Sequence, residues 1–493
     1  MVKDMTKGNP IKLILAFCIP MLMGNIIQQI YNMVDSIVVG RYVGVDAFAG
    51  VSSTGSLTFL VIGFVLGLCS GFSIKVSQSF GAGDYKEMRK YIANALYLSG
   101  AFAIILTVLT MIFTRPLLEL MRTPDNIIEY AYDYIIIIFA AILATMMYNI
   151  LACILRAVGD SKTPLIFLGI AAVINVVLDL LFVISFKMEV RGVGYATVIS
   201  QVVSAVLCII YIKKRYFILH FERDELKLDI NKCKDLAFVG VPMALQFSIT
   251  ATGTIILQFA VNSLGSAAVA AVGAAIKVQS MAILSMETLG LTMATYSGQN
   301  LGAKQYDRIK HGVNKSLIMG VAYSIVIYAI IALLGGYISL LFIKKEETAI
   351  ISDVIKFLRV SGAFYPALAV LFIVRNVLQG LGYSVVTMLA GVSELIARGV
   401  VAIAFVGPFG FNAVILAGPI AWILADIILI ITYFMKQNDL KRMCIEPPNT
   451  KLSYEKRTNN KTSYIITYFI KQKGLRRKDV KPVEANTADD VEE

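Results

Sequence analysis

The sequence predicts an all-α integral membrane protein, with twelve transmembrane helices arranged as two pseudo-symmetric six-helix bundles. Composition is the first ground for this. Of 493 residues 57% are hydrophobic and only 16% charged, whereas a soluble chain carries about a quarter charged residues. Mean hydropathy is +0.74. So apolar a chain is explained if lipid replaces water around much of it. The second ground is a set of twelve apolar stretches, each near the roughly 20 residues needed to cross a hydrocarbon core. The third is an internal repeat that relates the first six stretches to the last six.

The stretches run approximately over 12–39, 47–75, 92–114, 131–154, 163–186, 193–212, 236–261, 267–296, 315–343, 356–379, 385–406 and 412–435. The first follows the basic segment Met1–Lys12. It is too long for a signal-peptide core and lacks a small-residue cleavage site, so it is expected to be a retained helix. An N-terminus in the cytoplasm places Lys75, Lys86, Arg89, Lys90, Arg156 and Lys162 inside, with Lys213, Lys214, Arg215, Arg223, Lys227, Lys232 and Lys234, then Lys304, Arg308, Lys310 and Lys315. The other side receives only Arg41, Arg115, Arg122, Lys187, Arg191, Lys344 and Lys345. This imbalance puts both termini in the cytoplasm of a plasma-membrane protein. It also accounts for the net charge of +12 without nucleic-acid binding.

The repeat is legible residue by residue. Pro20-Met21 matches Pro242-Met243, and Ala47–Val51 matches Ala268–Val272. Gln78, Gly81, Ala82 and Tyr85 recur as Gln299, Gly302, Ala303 and Tyr306, each 221 positions later. Arg156–Gly159 corresponds to Gln379–Gly382 after a shift of two. Small residues are common in membrane helices, but their order and near-constant offset are not a chance pattern. An even number of spans per half gives both halves one orientation and a cleft between them, an architecture used by transporters. The expected division is an N-lobe at 1–212, a charged linker at 213–235, a C-lobe at 236–435 and a tail at 436–493.

Charged and amide side chains inside spans mark the candidate sites, since each charge at the bilayer centre costs at least about 2.5 kcal/mol. Asp35 lies in the first span, with Gln28, Tyr31 and Asn32 on the same helix face. Asn175 and Asp179 are one turn apart in the fifth, and Thr197 opens the sixth. Two carboxyls with amide and hydroxyl partners are suited to a proton or a sodium ion. Asp35 also stands near the end of its span, where it would simply face water. The second half carries Glu287, Glu394 and Asp426 with Lys277, Arg375 and Arg398. Glu394 and Arg398, at i and i+4, are spaced to pair structurally, which leaves Glu287 as the functional candidate of that half. Pro20 and Pro242 interrupt spans and serve as either hinges or packing features.

Catalytic chemistry and cofactors are not expected. His220 and His311 are placed in loops without a second metal ligand at working spacing, and no phosphate-binding loop occurs. Cys18, Cys69, Cys153 and Cys208 lie in spans, and Cys233 and Cys444 in cytoplasmic segments, with no paired spacing. They read as reduced small hydrophobes.

The run Pro20-Met21-Leu22 to Gln28-Gln29-Ile30-Tyr31-Asn32-Met33-Val34-Asp35, followed by Gly40-Arg41-Tyr42-Val43-Gly44, resembles the first helix and loop of multidrug and toxic compound extrusion (MATE) transporters. Gln78–Asp84, Leu155–Ser161 to Pro164, and Gly298–Ala303 are similar to that family's loops. The resemblance covers about residues 10–435. It implies a V-shaped pair of six-helix bundles that exports drugs by alternating access, as an antiporter driven by H+ or Na+. Similarity to the prokaryotic DinF-type branch implies an ion site of Asp35, Asn175 with Asp179, and Thr197, beside a cavity with Gln28, Tyr31 and Asn149. The NorM-type branch uses acids in helices seven and ten. Those predicted spans hold none here, so that site is not expected.

Beyond residue 435 the resemblance ends. Ile430–Gln437 recurs, with one change, as Ile465–Gln472, and Leu475–Lys478 follows. A short basic amphipathic helix on the inner leaflet and a mostly disordered duplication of a span end both fit this; Glu484–Glu493 is acidic and expected to be disordered. The expected partners are a drug-like small molecule and the lipid bilayer, and the chain is expected to be a monomer. A lipid or polysaccharide-precursor flippase is the nearer alternative, although the acidic and amide cavity candidates favour cationic substrates. A receptor or membrane-embedded enzyme is the more distant one.

Overall fold

Among the described residues, twelve helical spans follow one another in the order the hydropathy pattern predicts, each of two bent pairs counted as one span. In the computed structural model, α1 is Pro10–Val43, α2 Val45–Gly81, α3 Tyr85–Leu120, α5 Lys162–Ser185, α6 Glu189–Arg215, α7 Ile230–Asn262 and α8 Ser266–Gly302. α9 is Tyr306–Ser339, α11 Ser384–Phe409 and α12 Phe411–Gln437. The remaining two are bent pairs: α4 is Asp125–Ala140 with Ile142–Ala157, at 52°, and α10 is Thr348–Ala363 with Tyr365–Gly380, at 51°. The structure describes residues 4–445 apart from 122, 341, 342 and 344, and the side chains only as far as 437. Arg122, Lys344, the Cys444 side chain and the repeated segment at 465–472 with its acidic end lie outside the described residues. Among the described residues there is no β-strand.

Helices starting on the N-terminal side are capped by residues with no tendency to continue a helix. Asn9 accepts from the Ile11 and Lys12 N–H groups, with Pro10 at the first helical position. Asp84 accepts from Glu87 N–H at 2.9 Å, and Asp229 from Asn231 and Lys232. Asp160 accepts from Lys162 and Thr163 N–H, both at 3.0 Å.

The internal repeat extends to the backbone. Left-handed residues recur at Gly44 and Gly265, Gly83 and Lys304, and Gly159 and Gly382. The break in α4 at Ala141 recurs in α10 at Phe364. A five-residue stretch of wider, i→i+5 turns at Leu181–Ser185 recurs at Val401–Phe405, and α1 ends in a third at Val39–Val43.

One buried apolar cluster gathers Val65, Phe72, Ile135, Met146 and Leu155 from the first half, together with Leu236 and Ala244. A second gathers Met286, Tyr296, Val313, Tyr365 and Trp422. That second cluster also takes Met5, Ile14, Phe17, Cys18 and Met21. Farther along α1, Val38 and Val39 pack with Val183, Val190 and Val193. α1 therefore has one end in the second cluster and the other in a third, smaller one of first-half residues, and Pro20 lies within the end that belongs to the second. Neither Pro20 nor Pro242 breaks its helix.

The halves meet where glycine allows it. A methyl group on Gly71 would lie 2.4 Å from the Gly240 Cα. One on Gly81 would lie 1.9 Å from the Gln299 carbonyl oxygen, and one on Gly302 1.9 Å from that of Gln78. Ser77 donates to the Thr295 carbonyl at 3.2 Å and the Gln78 amide to that of Gly380 at 2.9 Å. Most of these contacts gather at the C-terminal ends of α2 and α8, the side on which α1 begins. Gly302→Ala should destabilise the fold by about 1–3 kcal/mol, the usual cost of forcing a group into a filled contact, read by thermal unfolding in detergent.

Several expected loops are helix ends. Cys233 lies in α7 and His311 in α9, because helices on this side run on past the hydrocarbon-length core. α7 and α10 likewise extend to include Asp235 and Asp353 near their ends, outside the predicted spans. The connection between α6 and α7 shrinks to residues 216–229. It is tied down by Glu225, whose side chain is fully buried and takes Arg89 Nε and Nη2 on its two oxygens, both at 2.7 Å. The Arg89 guanidinium holds this carboxyl below its ordinary value of 4.5. A depressed carboxyl stabilises the fold above its ordinary value and loses that contribution as pH falls through the folded value. Glu225→Gln should therefore cost about 2 kcal/mol at neutral pH. Its deficit relative to the unmodified protein should shrink below about pH 4 in thermal unfolding.

Candidate functional site

The acids of the first half come together where two helices change pitch. Asp35 sits four residues before the wide turn that ends α1, and Asp179 two residues before that of α5. Such local widening re-aims side chains and is frequent at functional sites. Asp35 is 6% exposed and Asp179 0%, so Asp35 does not face water at the end of its helix. The two carboxyls lie side by side, with the Thr197 hydroxyl within reach of Asp35. That hydroxyl also donates to the Val193 carbonyl at 3.0 Å. Asn175 is 1% exposed, one turn before Asp179.

Buried polar atoms ordinarily have partners. Here Asp35 Oδ1, both oxygens of Asp179, and both Asn175 amide atoms have none among the described residues. Five such atoms on three neighbouring side chains make a site suited to a small cationic guest or a proton. Two carboxylates about 4 Å apart repel by about 4 kcal/mol even at an effective dielectric constant of about 20, and a shared cation removes that repulsion.

A cavity adjoins the acids. It is lined by Gln28 and Tyr31 of α1, Thr145, Tyr148 and Asn149 of α4, Asn175 of α5, and Thr197 and Gln201 of α6. Its volume is about 70 Å³, room for water rather than for a drug-sized ligand, which takes roughly 300–1,000 Å³. Thr145 donates to Gln201, and the Asn149 amide to the Thr145 carbonyl at 2.8 Å. Sequence reasoning had reached Gln28, Tyr31 and Asn149 and missed Thr145, Tyr148 and Gln201. The missed residues carry a signal nonetheless: Thr145 with Asn149, and Thr197 with Gln201, are polar pairs at i and i+4 in apolar spans. Tyr134, whose ring stands near Asp35 and Asp179, was also missed. A single tyrosine in an apolar run carries no comparable signal.

Glu287 does not line this cavity. It is half-buried in α8 and faces Arg375. Glu394 does meet Arg398, at 3.3 Å, but its other oxygen is held by Arg375 of α10, a partner that i,i+4 spacing could not reveal. Asp426 of α12, 7% exposed, lies within electrostatic reach of Arg375 and Glu394. The second half thus holds a buried ionic cluster. Its positions corresponding to Asp35 and Asp179 are apolar or glycine, namely Ile256 or Leu257 and Gly399 or Val400.

Comparison with known proteins agrees with this two-part reading. The profile of the MatE family matches residues 20–181 and again residues 242–404. The chain is 32% identical to a Bacillus subtilis protein named "probable multidrug resistance protein YoeA" over 68% of this chain and 74% of that one. It is 29% identical to "probable multidrug resistance protein YpnP" of the same organism, over 77% and 84%. Among solved structures, the outward-facing conformation of a multidrug resistance MATE family transporter superposes with a TM-score of 0.83, covering 89% of this chain and 98% of that one at 22% identity. This multi-pass membrane protein belongs to the MatE family, the multidrug and toxic compound extrusion transporters.

Proposed function

We propose that the protein is a secondary antiporter of the plasma membrane, with its N-terminal side in the cytoplasm, that expels amphipathic organic cations in exchange for H+ or Na+. One observation carries this reading: Asn175 and Thr197 line the cavity and also flank the Asp35/Asp179 pair. Ion and substrate thus draw on the same side chains. When the acid pair is loaded, the cationic substrate loses its counter-charge and the amides and hydroxyls turn to the ion. When the pair is empty, its negative charge attracts the cation. Exchange then follows from competition, without a second energy source. The small cavity fits a resting state in which α1 must shift before a drug-sized molecule is admitted.

The relatives named for multidrug resistance support drug-like cargo, and the acidic and amide lining supports positive charge on it. Flux of a fluorescent organic cation in proteoliposomes, with a pH gradient and a sodium gradient imposed separately, tests the proposal. Uptake driven by one of the two gradients is the expected result. Flux that ignores both gradients would refute ion coupling.

A further inference from the structure

Ahead of α1, residues Asp4–Asn9 cross the ends of α8 and α9 as a strap. Met5 is fully buried there, and Thr6 is 8% exposed. The Met5 N–H donates to Gln299 Oε1 at 2.9 Å. Its carbonyl accepts from Asn300 Nδ2 at 3.3 Å and from Arg308 Nε and Nη2 at 3.2 and 3.0 Å. Arg308 Nη1 also reaches the Gly8 carbonyl at 2.7 Å. The guanidinium is itself held in place: its carbon stands 6.0 Å from the centre of the Tyr296 ring, and the Tyr296 hydroxyl donates to the Arg308 carbonyl at 2.9 Å.

The strap is shaped for this contact by its own sequence. Asp4 accepts from the Thr6 N–H and hydroxyl, which closes a tight turn. Gly8 then adopts φ +95°, open to glycine at little cost, and turns its carbonyl to Arg308. Asn9 and Pro10 start α1 directly afterwards.

Gln299 gives the arrangement its meaning. Its carbonyl oxygen takes the strap, while its amide donates to the Ala157 carbonyl at the end of α4, at 2.7 Å. One side chain therefore joins the strap and the second half to the first half, next to the Gly81–Gly302 crossing. We propose that Asp4–Asn9 is a latch that holds the N-terminal side of the transporter shut, and that it must leave Gln299, Asn300 and Arg308 before that side opens. Because the strap is continuous with α1, whose far end carries Asp35, displacement of α1 is the motion that releases it. The inference rests on the alternating-access reading above.

The test measures distance, not transport. Spin labels at Ala82→Cys and Lys304→Cys, both exposed positions on the ends of α2 and α8, report separation of the halves by pulsed electron resonance; Cys233 and Cys444 are replaced by Ser. With neither gradient nor substrate, Arg308→Ala should raise the ratio of long to short distances at least tenfold. Gly8→Val should move it the same way. That change strains the strap backbone, and the Cβ it adds meets nothing nearer than Leu13 Cδ1 at 3.9 Å; thermal unfolding near that of the unmodified protein separates unlatching from misfolding. Unchanged distances in both variants would overturn the latch. Absence of cation flux in the unmodified protein would instead overturn the transport reading, and the two failures are told apart in the same vesicles.

Discussion

Asp35→Asn is expected to reduce gradient-driven efflux to the level of empty liposomes while the protein still folds and inserts. Asparagine keeps the shape of aspartate and removes the charge. Asp35 makes no ion pair within the described residues, and one of its oxygens has no hydrogen-bond partner there. Little structural support is therefore lost, and thermal unfolding should stay near that of the unmodified chain. What disappears is one of two adjacent carboxyls, and with it the ability to alternate between a loaded and an empty state. Binding of an organic cation should weaken, and what remains should lose its dependence on pH or sodium. Efflux at unmodified rates from this variant would sink the assignment of the ion site.

The largest stability effect is expected from Glu394→Gln. Glu394 is 2% exposed and stands between Arg375 and Arg398, at 5% and 7%. Removing its charge leaves two buried guanidiniums, with Asp426 and Glu287 within electrostatic reach of Arg375. Breaking a buried pair from one side typically costs about 3–5 kcal/mol. The variant should unfold at a clearly lower temperature or fail to accumulate in the membrane. Adding Arg398→Met, which removes one of the stranded cations, should recover part of the loss. If Glu394→Gln were as stable as the unmodified protein, the cluster would not be what joins α10 to α11.

The spans were legible because lipid imposes a single demand, about twenty apolar residues in a row. Helix ends were less so: α3 and α7 run on past the apolar core as turns capped by Asp84 and Asp229, and α9 as turns without a side-chain cap, none of which hydropathy sees. The break at Ala141 was invisible, since no proline marks it, whereas that at Phe364 is signalled by Pro366 in the first turn of the segment that follows. In the site, Asp35, Asn175 and Asp179 declared themselves by the cost of their charge or amide in an apolar run. Arg375 with Glu394 did not, because the two lie on different helices and only packing brings them together. Glu287, the functional candidate of its half, lies outside the cavity beside the acid pair, and spacing along one helix does not show which neighbour that helix faces.

The glycine crossing of α2 and α8 has a mechanical consequence. Backbone rests on backbone there, so while the strap keeps this side shut the crossing can act as a fulcrum for motion of the opposite side. α8 has 37 residues, a rod of about 55 Å at about 1.5 Å per residue. Because the pivot lies at one end, a tilt of only about 10° swings the opposite end by about 10 Å on that length. A rigid lever of this kind turns sub-ångström adjustments at a tight joint into an aperture wide enough for an organic molecule.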